Sequence, residues 1–275
     1  MTDFGTRVIV AVPNLRSEMH GKLSEHFKQL LTPGEMVLLS VGDETDEQKK
    51  HLVQALEQDN PSALIAVSIR PESSTISAYT SSEVPIVLID EDMPGVSVIT
   101  TDNYRGGYIA GEYLADKGKE KLAVVAGRMK VRGGYNAEQR VRGFQQALTD
   151  KGLPLPQECI VEVVHYSRDD GLEVMPQLLR MGVDAVFSAA GDFCAVGLLA
   201  VLREERVRVP EDVAIVGFDD FRIAQMSFPP LTTVKQPLEE IAQTAYDMAV
   251  VNKADILNRP QRTMFDPELI VRKSA

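Results

Sequence analysis

One pattern constrains this chain more than any other: short apolar, β-prone runs alternate with helical patterns from one end to the other. A strand followed each time by a helix builds parallel sheets, because a parallel crossover needs a helix to return the chain. The strand-like runs are Arg7–Pro13, Glu35–Val41, Ala63–Ile69, Pro85–Asp90 and Ser97–Thr101, then Lys121–Gly127, Cys159–Val164, Ala185–Ala189 and Val213–Phe218. Helical patterns fall over Ser17–Leu31, after a Thr45/Gln48 capping-box signature, from Asn103 to Gly118, and over Asn136–Lys151, Asp169–Met181, Phe193–Glu205 and Pro237–Asn252. Leu231–Lys235 reads as a β-prone crossing, Phe221–Phe228 as a loop and Arg262–Arg272 as a last extended stretch. No Pro/Ser-rich linker divides the chain, so two lobes must be joined by short crossings. The candidates are Thr100–Asp102, Thr233–Gln236 and Arg259–Arg262, which make each lobe discontinuous in sequence.

At 275 residues the chain is long enough for two lobes, each with its own core. Its 29 basic and 40 acidic residues leave a net charge of −11, which repels a phosphate backbone and argues against a DNA-binding surface in this chain. No stretch has the length of apolar sequence that a membrane span needs, and the N-terminus lacks the pattern of an export signal. Cys159 and Cys194 are too few for a disulfide framework and read as core residues of a cytoplasmic protein. Glycine-rich phosphate loops, nucleophile elbows and metal-binding histidine spacings are all missing, so the reading is of no enzyme, no metal and no cofactor.

Polar residues stand at the C-terminal ends of the strand runs, and open parallel sheets bind ligands outside those ends. Asn14, Asp90, Asp102 with Asn103, Asp192 and Asp219 are the residues in question. Each has an alternative reading as a cap of the next helix. Capping is favoured for Asp192, which precedes an apolar helix, and the two readings are even for Asp102. Asp90 has no helix to cap, and Asp219 precedes another acid and an aromatic, so a ligand role is favoured for both. Arg140 lies in the first turns of a helix, where the dipole disfavours a cation. Its guanidinium, with Asp219 or Asp90, would grip a polyol or an acid; otherwise it is a solvated surface arginine. Tyr166 either stacks on a sugar ring or base or packs like any other tyrosine.

The stretches TTDNYRGGYIAGEYLADKG, AEQRVRGFQQAL, and VPEDVAIVGFDD followed by PPLTTVKQP carry a family resemblance. Over essentially its whole length the chain resembles the effector-binding core of LacI/GalR-type bacterial transcriptional regulators, which share the type I periplasmic-binding-protein fold. The resemblance implies an α/β protein of two Rossmann-like lobes with parallel sheets and three crossings, divided into residues 1–100 plus 236–260 and 101–235 plus 261–275. It implies a small-molecule effector (a sugar, sugar derivative or nucleobase) in a cleft between lobes, contacted by Arg140, Asp219, Asp90, Tyr166, Gln236 and Asn14. Lobe closure would alter DNA binding. A homodimer is implied, with Phe221–Phe228 a candidate contact, and operator DNA would be reached only through a helix-turn-helix headpiece that this chain lacks. A stand-alone solute-binding protein serving a transporter or membrane sensor is the alternative. The sequence departs from the family pattern at Ser17–His20, where an aromatic wall is missing, and at Gly191, where sugar-binding members often carry Asn. Extra cations, Arg128, Lys130 and Arg132, favour an acidic or phosphorylated ligand.

Overall fold

The apolar run Val8–Val12 forms β1, and each of its side chains is fully shielded from solvent. In the computed structural model, which describes residues 7–15, 17–42, 44–130 and 134–275, the chain continues through α1 (Glu18–Leu30), β2 (Met36–Ser40), α2 (Thr45–Asp59), β3 (Ala63–Val67), α3 (Ser73–Ser81), β4 (Ile86–Ile89) and β5 (Ser97–Thr101). It then passes into a second unit: α4 (Asn103–Asp116), β6 (Leu122–Ala126), α5 (Tyr135–Asp150), β7 (Ile160–Glu162), α6 (Arg168–Arg180), β8 (Ala185–Ser188), α7 (Asp192–Glu204), β9 (Ala214–Asp219), α8 (Arg222–Met226) and β10 (Thr232–Lys235). It returns to the first unit for α9 (Leu238–Tyr246), a π-helical turn, α10 (Lys253–Asn258) and β11 (Arg262–Phe265), and ends in the second with β12 (Glu268–Ile270). The two units are Met1–Thr101 with Pro237–Phe265, and Asp102–Gln236 with Asp266–Ala275.

The first unit's sheet has the order β11-β5-β4-β3-β1-β2, every pair parallel. A strand buried on both faces belongs inside such a sheet, and β1 lies between β3 and β2. The second unit's sheet runs β12-β10-β9-β8-β6-β7, with only β12 antiparallel. This is the α/β class with two parallel-dominated sheets that the alternation predicts.

Four local expectations need correction. The last crossing falls after Phe265 and not at Arg259–Arg262, because β11 pairs with β5 of the first sheet. The stretch Arg262–Arg272 is therefore split between β11 in the first sheet and β12 in the second, where β12 pairs with β10. Helix α2 starts at Thr45 behind Glu44, and Gln48 Nε2 donates to the Gly42 carbonyl at 3.0 Å instead of closing a capping box. The loop Phe221–Phe228 contains α8. Helix α3, a Ser/Thr-rich segment without a helical stripe, is held by tertiary contact: buried Tyr79 donates its hydroxyl to the Leu52 carbonyl at 2.9 Å. Among the described residues no helix is long and apolar enough to cross a membrane.

In the second unit, side-chain parity along β9 divides the core. Ala214, Val216 and Phe218 pack with Ala110 and Leu114 of α4 and with Val141 and Phe144 of α5. Ile215 faces the other way, with Met175 and Leu178 of α6 and Cys194 and Leu198 of α7. Glycines bring each helix pair into backbone contact. A Cβ on Gly107 would overlap the Arg140 carbonyl, one on Gly143 the Tyr104 carbonyl, and one on Gly197 the Arg168 carbonyl. Gly143→Ala therefore sets two effects against each other: alanine raises helix propensity by about 1 kcal/mol, while the backbone overlap costs about 1–3 kcal/mol or more because neither side can give way. The overlap should win, lowering the urea midpoint; a stabilised Gly143→Ala variant would show that α4 and α5 do not touch there.

Candidate functional site

At the C-terminal end of β9, Asp219 and Asp220 both adopt positive φ, 106° and 55°. Non-glycine residues there cost about 1–3 kcal/mol each, so the surrounding structure must hold them. It does so from several directions. Asp219 Oδ1 accepts from Gln236 Nε2 at 2.7 Å; the β9–β10 register pairs Asp219 with Lys235, so Gln236 follows one residue beyond. Asp220 Oδ1 pairs with Arg272 Nη2 at 2.6 Å. The Phe221 amide donates to Asp192 Oδ2 at 2.7 Å. Gly191, at φ 101°, lies alongside: a Cβ there would stand 2.8 Å from Asp219 Oδ2.

Arg140 reaches the same strand ends from α5. Its guanidinium lies 3.6 Å from the centroid of the Phe218 ring, a cation–π contact. Nε donates to Asn103 Oδ1 at 2.7 Å and Nη1 to the Ala189 carbonyl at 3.0 Å, while Nη2 bonds to no described residue. These contacts fix the plane of the guanidinium and leave its Nη2 edge without a bond to a described residue. Tyr166 follows β7 with φ 56° and is 42% exposed. Its ring and hydroxyl lie across Gly127, where a Cβ would overlap them. Arg140, Asp219, Gln236 and Tyr166 thus all stand at the C-terminal ends of the second unit's strands or in the helix opening beside them.

Asp90 and Asn14 belong to the first unit. Asp90 has φ 65°, gives its amide to the Ile99 carbonyl at 3.0 Å and accepts from Ser68 Oγ at 3.2 Å. The Asn14 carbonyl meets His20 Nδ1 at 2.8 Å. Asp102 is an N-cap, accepting from the Arg105 amide at 2.8 Å. Of the extra cations, Arg128 and Lys130 are exposed, and Arg132 lies outside the described residues.

Sequence reasoning misread Asp192 as a helix cap. Gly191 holds that position, and Asp192 is completely buried. Besides the Phe221 amide it accepts from Thr233 Oγ1 at 2.6 Å, and a Cβ at Gly217 would overlap its Oδ1. It pins α7 to both β10 and the turn that carries Asp219. Asn103, the anchor of Arg140, was noticed only as a strand-end residue.

Two α/β units, one with an all-parallel sheet and one with a single antiparallel edge strand, and with polar side chains at the strand ends, have the architecture of the type I periplasmic-binding-protein fold. The model of the periplasmic binding protein-like domain matches residues 112–275, and the chain belongs to that family. It is homologous to LacI-type regulators. It is 26% identical over 273 residues to the HTH-type transcriptional regulator DegA of Bacillus subtilis (strain 168), covering 97% of this chain and 80% of DegA. With the HTH-type transcriptional repressor PurR of Escherichia coli O1:K1 it shares 29% identity over 247 residues, covering 87% of this chain and 70% of PurR. Among solved structures, the transcriptional regulator CelR–cellobiose complex superposes with a TM-score of 0.83 at 25% identity, covering 99% of this chain and 86% of that one.

Burial holds the Asp192 carboxyl well above its ordinary value of 3.8, and the neighbouring Asp219 pushes it the same way, against the bonds from Thr233 and Phe221. The folded state therefore keeps this proton at pH values where the unfolded chain has released it. Stability falls as pH rises from 3.8 toward the folded-state value. Asp192→Asn carries no such proton, and its carboxamide can accept from the Phe221 amide and donate to Thr233. Urea unfolding at about pH 4 and about pH 8 should show the variant gaining on the parent at the higher pH; a pH-independent difference would mean that Asp192 is not held protonated.

Proposed function

We propose that this chain is the effector-binding core of a LacI-type transcriptional regulator and that it acts by binding a small molecule, without catalysing a reaction. The observation that carries the reading is the arrangement at the second unit's strand ends. Arg140 is immobilised on three sides with its Nη2 edge available. Asp219 is fixed by Gln236, and Tyr166, 42% exposed, lies across Gly127 just past the end of β6 in the same unit. A fixed fork of donors, a carboxylate acceptor and an aromatic face suit a ring bearing neighbouring hydroxyls or heteroatoms. A sugar, sugar derivative or nucleobase fits that chemistry. Asp90 and Asn14, at strand ends of the first unit, are proposed as further contacts. Binding would bias a conformational equilibrium and so the DNA affinity of the regulator, to the extent of its differential affinity for the two states.

A thermal-shift panel of cellobiose, D-ribose, D-ribose 5-phosphate and hypoxanthine tests the reading, since a specific binder raises the melting temperature by mass action. Asp219→Asn keeps size and removes charge, and Arg140→Gln removes the guanidinium while keeping a shorter polar amide. Each should weaken the stabilising compound about a hundredfold by calorimetry while the thermal transition stays cooperative. Unchanged affinity in either variant would remove that residue from the site.

We also propose a homodimer in which α8 and the loop behind it take part. Met226 is 68% and Phe228 79% exposed, two large apolar side chains left in water on one short segment. Sedimentation at micromolar concentration should give twice the 30.3 kDa mass of the chain, shifting toward monomer in Phe228→Lys. A monomeric parent would dispose of the interface.

A further inference from the structure

The segment after β12 is tied into the second unit by a run of hydrogen bonds. Ser274 is fully buried; its hydroxyl accepts from the Thr232 amide at 2.8 Å and donates to the Ile215 carbonyl at 2.6 Å. The Lys273 amide donates to the Pro230 carbonyl at 2.9 Å, and the Ile215 amide to the Ser274 carbonyl at 2.8 Å. These bonds hold residues 273–274 against β9 and the segment entering β10, while Arg272 has anchors of its own. The Arg272 amide donates to Thr232 Oγ1 at 2.9 Å, and its Nη1 donates to the Leu231 carbonyl at 2.8 Å. Nη2 is thereby aimed at Asp220, and the pair is shielded, with 14% and 13% of the two side chains exposed.

Asp220 is the second of two consecutive left-handed residues, and the first is Asp219. Such a turn is not what an L-residue chain adopts unaided. On its near side Asp219 bonds to Gln236, and on its far side the Phe221 amide is fixed by Asp192. The Arg272 fork holds the residue between. We propose that Arg272 is a positioning residue for the ligand-binding carboxylate of Asp219, acting through Asp220. The inference rests on the reading of Asp219 as a ligand contact.

Arg272→Gln, Asp220→Asn, the double variant and Ser274→Ala make the test. The first readout needs no ligand: crystal structures of Arg272→Gln and the parent chain. The Asp219 carboxylate should leave its bond to Gln236 in the variant; an unmoved carboxylate overturns the proposal whatever the chain binds. The second readout is calorimetric affinity, at a temperature where every variant is folded, for whichever of cellobiose, D-ribose, D-ribose 5-phosphate or hypoxanthine stabilises the parent. Arg272→Gln and Asp220→Asn should each weaken it about tenfold, and the double variant no further, because one interaction is being removed. Ser274→Ala should lower the melting temperature with affinity within about twofold. Additive losses, or an equal loss in Ser274→Ala, would reduce Arg272 to a stabilising role and overturn the proposal. If no panel compound binds the parent, the functional reading fails for those ligands, while the crystal structures still decide whether Arg272 positions Asp219.

Discussion

Backbone meets backbone where α4 and α5 touch, and the placement of Arg140 depends on that contact. Gly107 and Gly143 remove the Cβ atoms that would hold the helices apart, and Gly106 presents its bare face to the Phe218 ring. The start of α4 therefore comes close enough for Asn103 to accept from Arg140 Nε. The guanidinium settles on the same Phe218 ring that fills the space beneath it. Stacking and two hydrogen bonds fix a side chain that would otherwise lose several rotatable bonds' worth of entropy only on binding a ligand. The ordering is part of folding, so it does not oppose association.

The other face of the same sheet uses the same device for a different purpose. Gly171 and Gly197 let α6 and α7 approach at backbone distance, which seats the first turn of α7 against β9 and β10. Asp192 is carried into the core by that seating. A buried carboxyl is costly when charged and acceptable when protonated or fully bonded. Here both remedies operate: two donors engage its oxygens, and burial favours the proton. What it secures is the direction of the chain leaving β9. Gly217, whose missing side chain makes room for the Asp192 carboxyl, is as necessary to this arrangement as the acid itself.

The strands were legible because burial on both faces leaves an unbroken apolar run, as at Val8–Val12 and Val213–Val216, and their short length and β-branched residues separate such runs from a buried helix segment. Arg140 was legible because a cation in the first turns of a helix runs against the dipole and invites another explanation. Asp192 was not, since an acid ahead of an apolar helix looks the same whether it caps the helix or anchors a turn 29 residues away. Arg272 gave no signal for the same reason, its partner lying 52 residues back in the chain. The last crossing was misplaced because β11 and β12 are both short, weakly apolar and adjacent; only pairing assigns them to different sheets. Local pattern predicts local structure well, and long-range polar pairing leaves almost no local trace.

Charge at the strand ends narrows the proposed ligand further than residue types alone. Three acids gather there, Asp192, Asp219 and Asp220, yet their charges do not simply add. Asp220 is matched by Arg272 at 2.6 Å, and Asp192 is pushed toward its neutral form. Asp219, which accepts from the Gln236 amide, and Arg140 are the groups of opposite sign proposed to meet a ligand in the second unit. An anionic ligand would gain from Arg140 and lose to Asp219, whereas an uncharged ring with adjacent hydroxyls can donate to the carboxylate and accept from the guanidinium at once. Arg128 and Lys130 favour an acid, but both are exposed, where solvent and salt weaken their pull. The balance of these terms favours a neutral polyhydroxyl compound over a phosphorylated one, because the groups held in fixed geometry outweigh those free to follow the solvent.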